Sequence, residues 1–263
     1  MCYICKGKYD EETTELNCYG CTDLTEIPML PNLTSLDCRG CSNLTEISNL
    51  PNLTSLDCRS CINLTKLSEL PKLSSLWCCI CLNLTKISNF PKLVELFCGR
   101  CHKLEEISDL ENLEDLDCHE TALTEIPMLP KLSKLDCETC PNLTKIPELP
   151  NLIALCCRNC TNLKEISESP DFMYVDCRNC RYLSGDLKWR MYVNVNCDGC
   201  PWIEPSNIEK LKHLQRFCRN NLRYWRFKKW IGSKEFAEWF YSPEQWGGKI
   251  EKKGIERMLK KLN

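Results

Sequence analysis

Leu36-Asp37-Cys38-Arg39-Gly40-Cys41-Ser42-Asn43-Leu44-Thr45-Glu46-Ile47 returns twenty residues later as Leu56 to Leu67 and again as Leu76 to Ile87. A fixed period of this length with leucines at L-x-x-L-x-L-type spacing marks stacked coils. One such coil cannot bury its own apolar side and needs a neighbour above and below. The fold is therefore read from columns of equivalent positions before any local motif is weighed.

The first column is Cys18, Cys38, Cys58, Cys78, Cys98, Cys118, Cys137, Cys157, Cys177, Cys197 and Cys218. The second, three residues on, is Cys21, Cys41, Cys61, Cys81, Cys101, Cys140, Cys160, Cys180 and Cys200. It is broken where Thr121 follows Cys118, the place where one residue of the period is lost. Leucines 24, 44, 64, 84, 104, 123, 143, 163 and 183 form a third column, and the series from Ile27 through Ile47 to Ile166 a fourth. Leu33-Thr34-Ser35-Leu36-Asp37-Cys38 predicts a short strand of a parallel sheet, with Leu36 and Cys38 inward and Ser35, Asp37 and Arg39 outward by the period of two. The return half, as in Ile27-Pro28-Met29-Leu30-Pro31, is rich in proline, which fixes φ and lacks an N–H, so it is expected to be extended or polyproline-like. Because the columns resume in phase after Leu123, the deletion is expected to be absorbed in its turn, leaving the sheet continuous from Leu116 to Leu135.

The repeat L-x-x-L-x-C-x-x-C-x-x-L-x-x-I-P resembles leucine-rich repeat proteins of the short, roughly 20-residue class, with cysteine replacing the third leucine and the ladder asparagine. The doubled cysteine column with NLT and LPNL segments also resembles cysteine-rich repeat proteins found in many copies in giant DNA viruses of amoebae. The resemblance implies a leucine-rich repeat solenoid with a parallel β-sheet on the inner face, an extended or polyproline-like outer face and a small helical C-terminal cap. On this reading residues 1–15 are an N-terminal cap, 16–218 about ten to eleven coils, and 219–263 the C-terminal cap.

The first residues hold no apolar run that would serve as a signal peptide, and no stretch approaches a membrane span, so an intracellular setting is expected: host cytoplasm or virion if the chain is viral. The 24 cysteines follow from periodic core positions rather than from stapling a small domain. Three readings of them compete. In the first, Cys38, Cys41, Cys58, Cys61, Cys78, Cys81, Cys98, Cys101, Cys137, Cys140, Cys157, Cys160, Cys177, Cys180, Cys197 and Cys200 are small buried side chains whose S–H groups face loop carbonyls down a ladder. In the second they form disulfides, which the parallel Cβ vectors of stacked strands would strain. In the third they bind metal: Cys2 and Cys5, twelve residues, then Cys18 and Cys21 has the arrangement of a four-thiolate zinc site. Zinc is the one cofactor the sequence suggests.

Outward strand positions carry what specificity there is. Five of the eleven coils place Asp before the first cysteine and five place Arg after it, as in Asp37/Arg39, Asp57/Arg59 and Asp176/Arg178, pairs that ordinarily only solvate a sheet face. Trp77 and Phe97 replace that Asp in adjacent coils. With Arg59, Glu95, Asp115 and His119 they form the candidate site for an unidentified protein partner, aromatic residues being favoured interface anchors.

After Cys180 the repeat decays through Ser184-Gly185-Asp186, and residues 205–211 suggest a short helix. Residues 219–263 carry 12 Lys or Arg against 5 Glu, a balance of 12 − 5 = +7, leaving about −9 of the whole-chain −2 to the rest. The aromatic spacing of this tail suits a helical cap better than nucleic-acid or anionic-surface binding. A Gly-rich phosphate loop and a serine elbow are missing, and His102, His119 and His213 lie in different coils, so an enzyme finds little support. The sequence thus reads as a non-enzymatic interaction or structural scaffold, with a metal-binding or thiol redox protein as the alternative.

Overall fold

The computed structural model describes residues 2, 4–68, 70–108, 110–167, 169–183 and 194–200. The expected short helix at 205–211, the last strand at Cys218 and the C-terminal cap at 219–263 lie outside the described residues.

Ten three-residue strands, Glu15–Asn17, Ser35–Asp37, Ser55–Asp57, Ser75–Trp77, Glu95–Phe97, Asp115–Asp117, Lys134–Asp136, Ala154–Cys156, Tyr174–Asp176 and Asn194–Asn196, form one parallel sheet in chain order. The first opens at Glu15, one residue before the expected start of the coils. Register follows the repeat: Leu36 lies on Leu56 and Leu56 on Leu76. A single apolar spiral fills each coil, so that Leu33, Leu36, Cys38, Cys41, Leu44, Ile47 and Leu50 are each 0 or 1 % exposed. The described cysteines of both columns, from Cys18 to Cys200, are buried.

The strands stop after three residues because C-x-x-C closes a tight turn. The Cys41 amide donates to the Cys38 carbonyl at 3.2 Å, and the residue between them, Gly40, takes φ +70°. One positive φ at the third position of the turn, where glycine is favoured, is the type II geometry. Ser60, Ile80, Asn159 and Asn179 hold the same left-handed conformation as Gly40. Asparagine tolerates it, but a β-branched residue does not. Ile80, at φ +63°, and Thr139, at φ +57°, are therefore the strained residues of these turns.

The coil that lost a residue keeps the sheet intact, as expected. Asp115–Asp117 pairs directly with Lys134–Asp136, with Leu116 on Leu135. The thiol column has its gap at Thr121, whose hydroxyl donates inside its own coil to the Cys118 carbonyl at 2.8 Å and lies 3.4 Å from Cys140 Sγ.

The outer half is extended, and it also forms short parallel strands that proline content did not suggest. Glu46–Ile47 pairs with Lys66–Leu67, Lys86–Ile87 with Glu106–Ile107, and Lys145–Ile146 with Glu165–Ile166. Pro147 is compatible with the last pair because the bond runs from the Ser167 amide to the Ile146 carbonyl and needs no N–H from residue 147. Each pair brings Lys opposite Glu: Lys66 to Glu46 at 2.7 Å, Lys86 to Glu106 at 2.7 Å, Lys145 to Glu165 at 3.1 Å.

Side chains that look like solvated polar residues in the sequence also tie coil to coil. Asn43, Asn63 and Asn83 donate to the carbonyls of Thr22, Ser42 and Ile62, and Asn52 and Asn151 to those of Pro31 and Pro130. Thr34, Thr54 and Ser74 hydroxyls form another series on Thr14, Thr34 and Thr54.

Replacing Ile80 by glycine should relieve the left-handed strain, an intrinsic cost of roughly 1–2 kcal/mol, against a smaller loss of its half-buried side chain. The expected net gain is about 1 kcal/mol in denaturant unfolding, whereas Gly40→Val in the equivalent turn should lose at least as much.

Candidate partner-binding face and thiol clusters

The front face is set by the residues on the C-terminal side of each inward leucine. In five of the ten described coils Asp occupies the strand end, at 37, 57, 117, 136 and 176, and its carboxylate turns back to the residue two positions on. Arg39 donates through Nε and Nη2 to Asp37 at 2.9 and 2.6 Å, and Arg59 to Asp57 at 2.9 and 2.6 Å. Arg178 holds Asp176, which is 2 % exposed, in the same two-point fashion. The Arg39 guanidinium holds the Asp37 carboxyl below the usual range. Arg39 also reaches Asp57 in the next coil at 3.4 Å and lies 5.1 Å from the Tyr19 ring centre. These charges are consumed internally and tile the face.

The tiling stops at two coils. Trp77 and Phe97 stand in register on adjacent strands, their rings parallel within 4° and 6.1 Å between centroids. Such an offset stack is the favoured arrangement of paired aromatic rings. The positions that elsewhere carry arginine are Cys79 and Gly99 here, so no long side chain covers the rings from that side. Gly99 is required for another reason as well: a Cβ there would sit 2.1 Å from Cε1 of the His119 imidazole, which lies across it from the next coil. Both aromatics are half-buried.

The other four candidates are near the pair but already engaged. Arg59 is bound to Asp57, and Glu95 accepts from the Ser75 hydroxyl at 3.1 Å. Asp115 is met by Lys134 at 3.2 Å, and His119 Nδ1 lies 2.6 Å from Asp117. The structure thus separates the six: a stacked aromatic pair with its faces partly bare, framed by polar groups that are oriented by internal bonds.

The thiol columns are the second notable chemistry. Each second-column sulfur donates to the first-column carbonyl of the coil before it: Cys41 to Cys18 at 3.1 Å, Cys61 to Cys38 at 3.0 Å, Cys101 to Cys78 at 3.1 Å, Cys160 to Cys137 at 3.0 Å and Cys200 to Cys177 at 3.0 Å. The ladder reading of the sequence takes this form. No cysteine from Cys2 to Cys180 is in a disulfide. Burial pushes the Cys41 thiol up to about 12 and keeps it protonated, while thiol–thiol hydrogen bonds pull Cys101 down to about 4 through Cys78 and Cys140 to about 7 through Cys118.

Two clusters have donor atoms close enough to share an ion. Cys2, Cys5 and Cys21 converge at the first coil, with Cys5 and Cys21 sulfurs 3.5 Å apart and Cys2 and Cys5 3.7 Å apart, and Cys18 lies against Cys2. Asp136, Glu138 and Cys156 form the other, unforeseen in the sequence because its members come from two different columns of two adjacent coils. There Arg158 is already bound to Glu138, which answers the acidic charge without an ion.

Within that second cluster Asp136 is the exception to the tiling, since residue 138 is Glu instead of Arg and only the Glu138 amide bonds its carboxylate, at 3.0 Å. Burial raises the Asp136 pKa, and the neighbouring Asp117 and Glu138 charges add to it.

In class, the chain is a parallel β-solenoid of leucine-rich coils with a thiol ladder. Neither a known family profile nor a curated protein sequence matches it at a significant level. A crystal structure of a leucine-rich repeat protein from Bacteroides ovatus is similar to it over 73% of this chain and 81% of that one, with 15% sequence identity and a TM-score of 0.44. No function comes with that likeness. Among the described residues, no helix is long and apolar enough to cross a membrane.

Asp136→Asn should stabilise the protein at neutral pH. A raised folded-state pKa means that ionisation is disfavoured in the fold, and the penalty is present once pH exceeds that pKa and absent below the unfolded value. Melting temperatures should therefore be higher for the variant at pH 7 and converge with the parent as pH falls below about 4. Equal melting at pH 7 would show that the Glu138 amide compensates the burial.

Proposed function

We propose that this protein is a non-enzymatic interaction scaffold that binds a protein partner through its front strand face, with Trp77 and Phe97 as the anchors. The observation that supports the reading is the stacked pair set in a face where Asp37, Asp57 and Asp176 are each neutralised by an Arg of their own coil. Desolvating an aromatic pair on docking is favourable and needs no compensating charge. Breaking a two-point Arg–Asp bond is not, so the tiled coils orient a partner more than they attract it. His119 and Glu95, held by Asp117 and Ser75, frame the pair as polar rim. The scaffold is a viral one on this reading, which rests on the resemblance of the doubled cysteine column to repeat proteins of giant DNA viruses.

The thiol redox alternative finds its strongest support in Cys79 and Cys156, which are half-exposed on the front face. Burial nonetheless pushes both thiols up to about 11, away from the thiolate form that reacts. The scaffold reading is preferred on that ground.

The test is affinity capture from the native source with the parent chain and with the Trp77→Ala/Phe97→Ala double variant. A partner retained by the parent and lost at least tenfold by the double variant, at unchanged melting temperature, is expected, since two central aromatic anchors together carry upwards of about 2 kcal/mol. Equal retention by both would remove the aromatic pair from the interface.

A further inference from the structure

We propose that Cys2, Cys5, Cys18 and Cys21 bind one zinc ion as a four-thiolate site, and that this ion clamps the N-terminal segment onto the first coil of the solenoid. In every other coil of the unbroken ladder the second-column sulfur is committed to a carbonyl of the coil before it, as Cys41 is to Cys18. Cys21 belongs to the first coil, before which the sequence has no first-column cysteine, and its sulfur instead faces Cys5 at 3.5 Å. Cys2 lies 3.7 Å from Cys5, and the three sulfurs are all within 4.8 Å of one another. A tetrahedral ion with Zn–S bonds of about 2.3 Å separates its sulfurs by about 3.8 Å, so the spacings of Cys5 to Cys2 and to Cys21 are those of neighbouring ligands on one ion. Cys18, the remaining buried sulfur of the first coil, lies against Cys2 and completes the set.

The backbone around the sulfurs fits the same role. The chain turns at both pairs: the Lys6 amide bonds the Cys2 carbonyl at 3.2 Å and the Gly7 amide the Ile4 carbonyl at 2.8 Å, with φ +62° at Gly7, and the Cys21 amide bonds the Cys18 carbonyl at 3.1 Å, with φ +65° at Gly20. Backbone amides reach the sulfurs, Ile4 to Cys18 and Cys2 and Asp23 to Cys21. Lys6 and Lys8 line the adjoining cavity of about 280 Å³ together with Cys2, Cys18 and Cys21, placing positive charge beside what would be a doubly negative zinc–thiolate centre.

The segment also needs a clamp. No described residue from 2 to 15 is buried, so apolar packing does not hold it. Residues 11 and 14 are tied to the second coil through the Glu11 and Thr14 carbonyls, but the turn around Cys2 and Cys5 meets the coil through its sulfurs. Binding of zinc by four thiols releases their protons to solvent and changes no oxidation state, so the step requires only the metal and neutral pH. This site is separate from the front face, and its failure would leave the partner-binding reading untouched.

The full chain, purified under reducing conditions without chelator, is expected to carry one zinc by elemental analysis. Replacement by cobalt(II) should give the thiolate-to-metal charge-transfer bands and intense visible d–d bands of a tetrahedral sulfur site. The Cys2→Ser/Cys5→Ser double variant lies outside the repeat and should lose the metal while keeping the far-ultraviolet signature of the sheet. Cys101→Ser, which breaks a ladder rung, should keep it. The proposal is overturned if the parent, given equimolar zinc and desalted, retains none, or if the double variant retains as much as the parent. Should the double variant fail to fold, the cobalt spectrum of the parent decides alone: bands of oxygen or nitrogen coordination would sink the four-thiolate assignment.

Discussion

The bond from each second-column thiol to the first-column carbonyl of the preceding coil is the constraint that gives the coil its shape. A strand that ends after three residues turns its next carbonyl toward the core, where water cannot reach it. An unanswered buried carbonyl costs on the order of 1–3 kcal/mol. The in-coil turn bond supplies one donor, from Cys41 to Cys38 for example, and the next coil's sulfur supplies another. A thiol is small enough to lie within the apolar spiral and polar enough to serve as that donor. Because the acceptor belongs to the coil before, the bond is unavailable to a single coil and cooperativity between neighbours is built into the repeat.

That constraint also explains why so much of the fold is legible in the sequence. A 20-residue period with two cysteines at fixed phase places the turn, the inward leucines and the strand without any propensity argument, and the continuity of the sheet through Leu116 and Leu135 comes from phase alone. Interactions whose partners are backbone atoms one coil away are the illegible part. Asn43 and Asn63 look like loop residues of an NLT triplet, and only the stacked geometry reveals their carbonyl acceptors. The outer strands are hidden for a similar reason: proline content argues against sheet, yet the hydrogen bond beside Pro147 draws on the carbonyl of Ile146.

The candidate face is partly legible. Trp77 and Phe97 are conspicuous as departures from a column of aspartates, and their stacking is a product of the register. Arg59, Glu95, Asp115 and His119 group with them by proximity in the repeat, whereas the structure shows each answering a partner of its own. Gly99 gives no signal in the sequence, because its importance depends on an imidazole reaching over it from the next coil.

The outer ladder differs from the front one in being discontinuous. Coils there are joined two by two through Lys–Glu pairs, and Lys66 and Lys86 fall on the two sides of the intervening step, with an open groove between them lined by Leu67, Leu70 and Pro91. Like charges on neighbouring rungs disfavour closing that step. The front sheet is continuous across the same step, with Ser55–Asp57 paired to Ser75–Trp77. The architectural unit of this stretch is therefore a doublet of about forty residues, and a chain that lost one coil of it would still set opposite charges on neighbouring rungs: without the Lys66 coil, Glu46 would face Lys86 and the open step would be gone.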